Sequence, residues 1–553
     1  MNPLNPPNAF DTHIVDNQPP EFAPCDLWAT DIALREGVAR EGGAVFAPRL
    51  AAYGALAGNE LYRLGFDAHR DKPRLQTHDR FGQRIDRVEF HPSYHEVMRA
   101  AVEHGVAALS WREPVPGAHV ARAALSYLHH QVEPGSSCPL TMTHAAIPVL
   151  RREPALREWS AKATAPHYDA RDVPMQEKHG VTIGMGMTEK QGGSDVRTNT
   201  TRAAPHGNAG EYEIVGHKWF FSAPMCDAHL VLAQAPGGLS CFLLPRFRPD
   251  GARNAFRLMR LKDKLGDWSN ASAEVEFTGA WAQRIGEEGR GVATILDMVM
   301  LTRLDCMLGS AAEMRMALAQ ALHHTAHRSA FGKLLIEQPL MRNVLADLAI
   351  ESEAAIAFSM RVARAVDRAP HDPSEAAFAR IATAVGKYWV CKRAPAFVNE
   401  AQECLGGAGY VEESIMPRLY RQAPLNSIWE GSGNIQCLDV LRALARDAVA
   451  GQSLLAELNS ARGLNADFDA YAGSLGGPLR VDQPPGESAA RTFTERLALA
   501  LQACVMLNAG NPLATAFCAS RLGGAHGLAF GTLESISNIE LAIERVSPIR
   551  NGS

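Results

Sequence analysis

Glu430 is the carboxylate of this chain whose neighbours best suit proton transfer. It lies in RLYRQAPLNSIWEGSGNIQ, after Ile428 and Trp429 and before a Gly-Ser-Gly turn. Apolar surroundings disfavour the charged form, and complete burial raises the pKa of a glutamate by roughly 3–5 units. A general base works best when its pKa is near the operating pH. Glu430 is therefore the predicted proton acceptor, and the alternative is an ordinary carboxylate at a helix start.

A second candidate segment, Gly184 to Asp195 (GMGMTEKQGGSD), is rich in glycine and small hydroxyls. It has neither the G-x-G-x-x-G dinucleotide spacing nor the G-x-x-x-x-G-K-[ST] phosphate loop. Backbone of this kind can nevertheless approach a flat or phosphorylated ligand closely and offer it free N–H groups. Further on, Gly216 to Ser222 (GHKWFFS) places aromatic side chains beside a hydroxyl in a strand-like run. Core packing is the alternative role for those aromatic residues.

Together these segments resemble the acyl-CoA dehydrogenase family of flavoproteins. The first family signature matches Gly186 to Asp195, and the second runs from Glu403, through CLGGAGYVEESIMPRLY, to Arg421. Lys264 to Phe277 is similar to the family's central strand region, and Arg328 to Gly332 to its flavin-contacting helix start. The motifs GMTEKQGGSD, HKWFFS and NSIWEGSGN most resemble the AidB-like, adaptive-response branch of the family.

The expected fold is mostly α with a central β-domain, as in acyl-CoA dehydrogenases. We expect an extended arm and helical domain at residues 1–180, a barrel-like middle β-domain at 181–283, a C-terminal four-helix bundle at 284–445 and an additional helical domain at 446–553. In the β-domain, Ala273, Val275 and Phe277 alternate with polar residues, which is the period-2 pattern of a half-buried strand.

Composition restricts the location and the partners of the chain. Its 553 residues carry a net charge of −5, which gives no bulk attraction to nucleic acid or to an anionic membrane. No apolar run approaches the roughly 20 residues of a transmembrane helix. The ten cysteines contain no CxxC pair, which suits a reducing cytoplasm, so a cytoplasmic protein without membrane contact is expected. His323 and His327 form an i,i+4 pair without a third ligand, and no metal site is predicted.

The resemblance implies FAD, bound between the β-domain and the bundle. Residues that would line the flavin or its pyrophosphate are Met185, Met187, Thr188, Gly193, Ser194, Phe220, Ser222, Ser432 and Asn434. Residues that would reach FAD from a neighbouring subunit are Arg328, Phe331 and the segment from Glu403 to Gly407. The cross-subunit contacts imply a homotetramer.

The reaction that the resemblance implies is α,β-dehydrogenation of an acyl-CoA thioester. The base removes the α-proton while the β-hydrogen leaves as hydride to the flavin. Hydrogen bonds from the backbone N–H of the base and from a flavin ribityl hydroxyl stabilise the thioester oxygen. Glu430 is at the usual base position, and Arg303 matches the arginine at the active-site entrance, with a structural salt bridge as its alternative role. Some members carry the base just before that arginine, where this chain has Thr302.

Two functions of different classes remain open at this point. One is a dehydrogenase for acyl-CoA substrates, a short branched thioester such as isovaleryl-CoA among them, that passes electrons to an electron-transfer flavoprotein. The other, implied by the AidB-like motifs, is a DNA-associated flavoprotein of the alkylation-damage response with weak dehydrogenase activity. A nitroalkane-type oxidase uses Asp as its base, and Glu430 disfavours that reading.

DNA binding would depend on local clusters of cations. The tail from Asp447 to Ser553 has seven arginines, no lysines and ten acidic residues, a net charge of −3. Arg442 and Arg521 are the candidate DNA contacts, within a possible stripe that also contains Arg446 and Arg545. We therefore expect weak, sequence-independent binding to duplex DNA.

Overall fold

The N-terminal region is mainly helical. The computed structural model describes residues 12–22, 26–479, 485–534 and 538–548, so of the predicted arm only part is described. The helices are α1 (Ile32–Arg40), α2 (Ala47–Leu56), α3 (Tyr62–Arg70), α4 (Pro92–His104), α5 (Leu109–Arg112), α6 (Ala118–His130), α7 (Pro134–Leu150) and α8 (Arg157–Ala163). An antiparallel hairpin that the sequence did not predict, β1 (Arg74–His78) and β2 (Arg84–Glu89), separates α3 from α4.

The middle region is a sheet that closes on itself. Its strands are β3 (Ile183–Gly186), β4 (Arg202–Pro205), β5 (Glu211–Ser222), β6 (Ala228–Ala235), β7 (Gly238–Pro245), β8 (Phe256–Leu261) and β9 (Ser272–Ile285). The strand order is β3-β6-β4-β5-β9-β7, with β8 on β9, and pairing of β6 with β7 closes the path. Ala273, Val275 and Phe277 are at most 1% exposed, which confirms the predicted alternation.

The bundle follows the sheet and consists of long helices. They are α9 (Gly291–His327), α10 (Pro339–Arg368), α11 (Pro373–Glu403), the short α12 (Met416–Gln422) and α13 (Gly433–Arg446). A small hairpin, β10 (Ser329–Ala330) and β11 (Lys333–Leu334), connects α9 to α10. The predicted fold class, a central β-domain flanked by helical regions, is confirmed. Among the described residues, no helix combines the length and the apolar character needed to cross a membrane.

The C-terminal tail adds α14 (Ala448–Asn459), α15 (Ala466–Gly473), α16 (Ala490–Asn508), α17 (Ala514–Phe517) and α18 (Ile539–Val546). Helices α14, α16, α17 and α18 contact α10, α11 or α13, and α15 packs on α16. Their apolar residues, such as Leu454, Leu497 and Phe517, belong to the same hydrophobic core as the bundle. The tail is therefore an integral layer of the helical part of the protein.

Arginines of the tail neutralise a buried acidic row on α10. Arg521 donates to Glu351 at 3.1 Å and also to Asp347, and Arg545 donates to Glu353 at 2.7 Å. Burial alone would raise the pKa of Asp347, but the hydrogen bond from His526 and the Arg521 charge hold it below its usual range.

The prediction of Arg521 as a DNA contact is wrong for this reason. Its side chain is only 6% exposed, and its Nε and Nη2 donate to the carboxylates of Glu351 and Asp347, so no surface is left for a phosphate. Arg545 is likewise 9% exposed and paired with Glu36 and Glu353. Of the predicted stripe, Arg442 and Arg446 remain on the surface.

Replacement of Arg521 should therefore unfold the protein more easily. Arg521→Ala leaves the buried Asp347 without its arginine and Glu351 with Arg393 alone, and breaking a buried ion pair from one side costs about 3–5 kcal/mol. Because the pKa of each carboxyl is lowered in the fold, the paired charges stabilise at neutral pH and lose their effect as the pH falls. Urea unfolding at pH 7 measures the loss, with the exposed Arg446→Ala as control. Equal stability of the two variants would contradict the assignment.

Candidate active site

Glu430 occupies a strained turn between α12 and α13. Its φ is 57° and that of Gly431 is 94°, so two consecutive residues adopt left-handed backbone. For a residue with a side chain this conformation costs about 1–3 kcal/mol and persists only where the surroundings enforce it. Glycine at position 431 removes that cost for the second residue.

Side chains from three helices hold this turn through its carbonyl oxygens. Lys387 Nζ of α11 donates to the oxygen of Trp429 at 2.7 Å and also to that of Gly431. Arg303 Nε of α9 donates to the Glu430 oxygen at 3.0 Å. Gln436 Nε2 of α13 donates to the oxygens of Glu430 and Gly431 at 3.0 and 2.9 Å. The conformation of the turn is thus fixed by the packing of the bundle.

The Glu430 carboxyl faces α9. Thr302 Oγ1 donates to its Oε2 at 2.6 Å. Burial raises the pKa of Glu430, and the Thr302 hydrogen bond and the charges of Lys387 and Arg303 offset only part of that rise. A carboxyl group whose pKa is raised toward neutrality is suited to accept and release a proton. Thr302 is therefore a direct hydrogen-bond partner of Glu430. The sequence analysis noted Thr302 only because it stands where some family members carry the base.

Arg303 links the turn to an ion pair. Besides the Glu430 carbonyl, it contacts Asp439 Oδ2 at 2.7 Å, and Arg380 pairs with the same carboxylate at 2.6 Å. Its side chain is 12% exposed. The structure thus gives Arg303 a salt bridge and also a direct contact to the backbone of Glu430.

A bulge in β5 arranges the aromatic residues of the GHKWFFS segment. The pairing with β9 slips between Lys218 and Phe221, so both of these side chains point into the sheet core. Phe220 is 55% exposed, and Trp219 lies beside it on the outer face, with Lys262 Nζ 3.3 Å from the Trp219 ring centre and 4.7 Å from that of Phe220. The bulge thereby offers a flat aromatic surface, a common use of bulges near binding sites.

The Gly184–Asp195 segment lies next to this bulge. Trp219 N donates to the Thr188 oxygen at 2.9 Å. Met185 is buried in β3, Met187 and Thr188 are half-buried, and Gly193 and Ser194 are exposed. A Cβ on Gly193 would lie 2.4 Å from Thr188 Oγ1, so only glycine fits against this hydroxyl.

A buried ion pair that sequence reasoning missed anchors the same loop. Lys218 Nζ contacts Glu189 Oε1 at 2.8 Å, and neither side chain is exposed. Burial would raise the pKa of Glu189, but the Lys218 charge and several hydrogen bonds lower it to about 2. Both residues are in the quoted motifs, yet nothing in their spacing indicates that they pair.

The remaining predicted flavin contacts lie at the end of β5 and at the start of α13. Ser222 Oγ lies 3.2 Å from Ser272 Oγ, while Ser432 and Asn434 are exposed at the start of α13.

The residues predicted to reach a neighbouring subunit are on the surface. Arg328 Nη1 donates to the Asn17 carbonyl at 2.5 Å, and Phe331 is 99% exposed with φ 53°. Glu403 and Gly407 are exposed at and after the end of α11. In the described part of a single chain, no hydrogen bond or ion pair joins these four residues to Glu430 or to the Gly184–Asp195 segment, so their role at the flavin stays a prediction.

The residues beside the β5 bulge fit a flat cofactor with a pyrophosphate. Phe220 supplies an exposed ring, and Thr188 and Ser194 supply hydroxyl groups. Within the described ranges, the backbone N–H groups of Gly193 and Ser194 have no protein acceptor. Free N–H groups on glycine-rich backbone suit a phosphate oxygen.

The described residues contain no group of three or more His, Cys, Asp or Glu side chains that could hold a metal ion. The His323–His327 pair is occupied otherwise. His323 Nε2 lies 2.9 Å from the Pro20 oxygen, and His327 Nδ1 lies 2.7 Å from the His323 oxygen.

Comparison with known proteins matches three family models along the chain. Residues 17–170 match the adaptive response protein AidB N-terminal domain, residues 184–280 the acyl-CoA dehydrogenase middle domain, and residues 289–445 the acyl-CoA dehydrogenase C-terminal domain. The chain is 49% identical to the putative acyl-CoA dehydrogenase AidB of Escherichia coli, over 92% of this chain and 94% of that protein.

Solved structures show the same relationship. Caenorhabditis elegans ACDH-11, in complex with C11-CoA, has a TM-score of 0.83 at 25% identity, over 98% of this chain and 95% of that one. Butyryl-CoA dehydrogenase from Megasphaera elsdenii has a TM-score of 0.58 at 20% identity, over 72% of this chain and 97% of that one. The second likeness concerns the fold alone.

The fit at Gly193 can be tested through flavin retention. Gly193→Ala places a methyl group against Thr188 Oγ1, displaces the loop and should weaken FAD binding by about tenfold, or roughly 1.4 kcal/mol. Flavin content after dialysis, measured by absorbance, reports the change. Gly473→Ala in α15, where a Cβ meets nothing within 4 Å, should retain FAD as the wild type does. Full retention by Gly193→Ala would exclude this loop from the cofactor site.

Proposed function

The chain belongs to the acyl-CoA dehydrogenase family, in its AidB-like branch, and we propose that Glu430 is its catalytic base. The family is FAD-dependent, and the protein is an oxidoreductase that acts on acyl-CoA. The observation that carries the proposal is the geometry of Glu430, a carboxyl group on a turn held by three helices, hydrogen-bonded to Thr302 at 2.6 Å and with a raised pKa.

Glu430 would accept the α-proton of the thioester. Thr302 occupies Oε2, which leaves Oε1 to receive the proton. The raised pKa favours proton transfer because it brings the carboxyl closer to the acidity of physiological solution.

The backbone of the turn would stabilise the developing charge. In the described part of the chain, no protein group accepts a hydrogen bond from the Glu430 N–H. Because all three carbonyls of the turn are bound by side chains, this N–H is held in one orientation and can bind the thioester oxygen. A fixed N–H aimed at a developing oxyanion lowers the barrier without reorganisation.

FAD, when bound, supplies the hydride acceptor. Its proposed contacts in this chain are Met185, Met187, Thr188, Gly193, Ser194, Phe220, Ser222, Ser432 and Asn434. Their types provide apolar and aromatic surface for a ring system and hydroxyl and N–H donors for phosphates. Arg328, Phe331, Glu403 and Gly407 are proposed to reach the cofactor of a neighbouring subunit.

A homotetramer is the proposed assembly. Phe331, Leu340 and Tyr410 are 99%, 82% and 81% exposed. Exposed patches of large apolar side chains are typical of a protein interface; Phe331 lies in the turn of the β10–β11 hairpin, and Leu340 is in the first turn of α10, which follows it. Electron-transfer flavoprotein stays the proposed electron acceptor.

A short acyl group, such as the isovaleryl group, is the proposed substrate moiety. Trp429 precedes the base, and its Nε1 donates to Asn426 Oδ1 at 2.9 Å, which fixes the indole. A large immobile side chain beside the base restricts the adjoining volume. The C11-CoA complex of ACDH-11 shows that a relative with the same fold holds a longer chain, so isovaleryl-CoA and undecanoyl-CoA should be compared directly.

Glu430→Gln should retain FAD and lose flavin reduction by acyl-CoA. Loss of a general base slows a proton-transfer step by about 10²–10⁴-fold. Anaerobic stopped-flow absorbance with isovaleryl-CoA and undecanoyl-CoA measures the rate. In the wild type, reduction should slow as the pH falls through a pKa above the ordinary glutamate value, because protonation removes the base. Glu487→Gln, at an exposed carboxylate, is the control, and bleaching of Glu430→Gln at the wild-type rate would refute the proposal.

DNA association is the second candidate function. Arg442 and Arg446 are exposed one turn apart on α13, and within the described residues neither forms an ion pair. Two such cations provide few phosphate contacts, and Arg521 and Arg545 are buried elsewhere. We therefore propose weak binding to duplex DNA without sequence preference.

Salt dependence tests this second function. Each phosphate contact contributes about −0.9 to the slope of log Kobs against log salt, so the wild-type slope should be about −2 and should shrink by about one in Arg442→Ala. Fluorescence anisotropy with a labelled duplex measures it, with Arg462→Ala as an exposed control. Binding that stays tight at physiological salt and is lost on Arg442→Ala would show a larger DNA surface than these two arginines provide.

A further inference from the structure

Lys387 is a buried lysine at the base-bearing turn. It lies in the middle of α11 and is 1% exposed. Its ammonium group donates to the carbonyl oxygens of Trp429, at 2.7 Å, and of Gly431. These carbonyls belong to the residues on either side of Glu430, so a single cation binds the turn both before and after the base.

The charge of Lys387 has no partner of the usual kind. An unpaired ammonium group in a protein interior is costly, and buried charges are normally paired. Two other buried lysines follow that rule, since Lys218 pairs with Glu189 and Lys178 with Asp227. Among the described residues Lys387 forms no ion pair, and its two acceptors are carbonyl oxygens.

The groups that face Glu430 come from three helices. They are Thr302, Arg303 and Cys306 from α9, Lys387 from α11, and Gln436 with Asp439 from α13. Arg303 pairs with Asp439, 2.7 Å away, and shares that carboxylate with Arg380. Burial raises the pKa of the Cys306 thiol, which keeps it neutral. Among the described residues, Lys387 is therefore the cation of this set that has no carboxylate partner.

We propose that Lys387 is a positioning residue for Glu430, which fixes the carbonyls on both sides of the base and places a positive charge near its carboxylate. The inference rests on the proposed role of Glu430 and adds to it a charge that favours the ionised form of the base. Burial raises the pKa of Glu430, and the Lys387 charge limits that rise. Without it, the base would be protonated over more of the physiological range.

Three substitutions separate the charge from the hydrogen bonds. Lys387→Gln keeps an N–H donor and removes the charge, whereas Lys387→Arg keeps both. Lys392→Gln, at an exposed lysine of the same helix, is the matched control. All are compared as FAD-loaded holoenzyme by anaerobic flavin reduction between pH 5.5 and 9.

Loss of the positive charge should move the base ionisation to higher pH, because the carboxylate form loses a favourable interaction. The Lys387 charge lowers the pKa of Glu430, so Lys387→Gln should reduce its flavin more slowly at low pH, by about tenfold if the pKa rises by one, and approach the wild-type rate at high pH. Lys387→Arg and Lys392→Gln should follow the wild-type profile. A purely structural lysine would lower the rate equally at every pH.

Thermal unfolding gives a readout that does not depend on catalysis. The cost of Lys387→Gln is measured in the wild-type background and in the Glu430→Gln background at pH 8. The carbonyl contacts contribute equally to both and cancel, so the difference isolates the interaction of the two charges. The cost should be larger where Glu430 is retained. If Lys387→Gln does not fold, Lys387→Met carries the same comparison.

The outcomes distinguish this inference from the proposed function. Flavin reduction that survives Glu430→Gln would refute Glu430 as the base. Loss of reduction in Glu430→Gln, combined with an unshifted pH profile and equal unfolding costs for Lys387→Gln, would refute the role of Lys387 alone. A shifted profile restored by Lys387→Arg would establish it.

Discussion

The carbonyl groups of Trp429, Glu430 and Gly431 accept hydrogen bonds from side chains of other helices, and the geometry of the site depends on these bonds. Left-handed backbone at two consecutive positions excludes the regular hydrogen bonding of a helix. The donors come from Arg303 on α9, Lys387 on α11 and Gln436 on α13. The packing of three helices thus determines the position of the carboxyl group. The hydrogen bonds from these helices hold the strained turn in a single conformation.

In the β-domain, too, side chains from a distant part of the chain hold a segment of irregular backbone in place. The Gly184–Asp195 segment has little side-chain bulk with which to pack, so the buried pair of Glu189 and Lys218 anchors it to the sheet. The bulge in β5 then turns Phe220 outward while Phe221 stays in the core. In the proposed site, this fixed loop and exposed ring would provide surface for the cofactor, and the bundle would provide the base.

The sequence predicted structural features that depend on short-range patterns, but it did not predict contacts between residues far apart in the chain. The alternation around Val275 and the apolar helices of the bundle are short-range patterns, and the fold class followed from them and from the motifs. The β1–β2 hairpin was missed because strands such as β1 are largely exposed and lack apolar alternation. Arg521 was misassigned because its partner Asp347 lies 174 residues away in the sequence. Thr302 and Glu430 are likewise 128 residues apart, and counting charges cannot reveal such pairs.

Exchange of the substrate α-hydrogen with solvent tests the central claim most directly, because it follows the proton and not the hydride. Isovaleryl-CoA is incubated anaerobically in D₂O with fully reduced enzyme, which cannot accept hydride, and deuterium at the α-carbon is followed by NMR. The account predicts incorporation by the wild type, slower incorporation by Thr302→Val, which lacks the hydroxyl bonded to Oε2, and none above background by Glu430→Gln. Incorporation by Glu430→Gln at the wild-type rate would show that another group carries the proton.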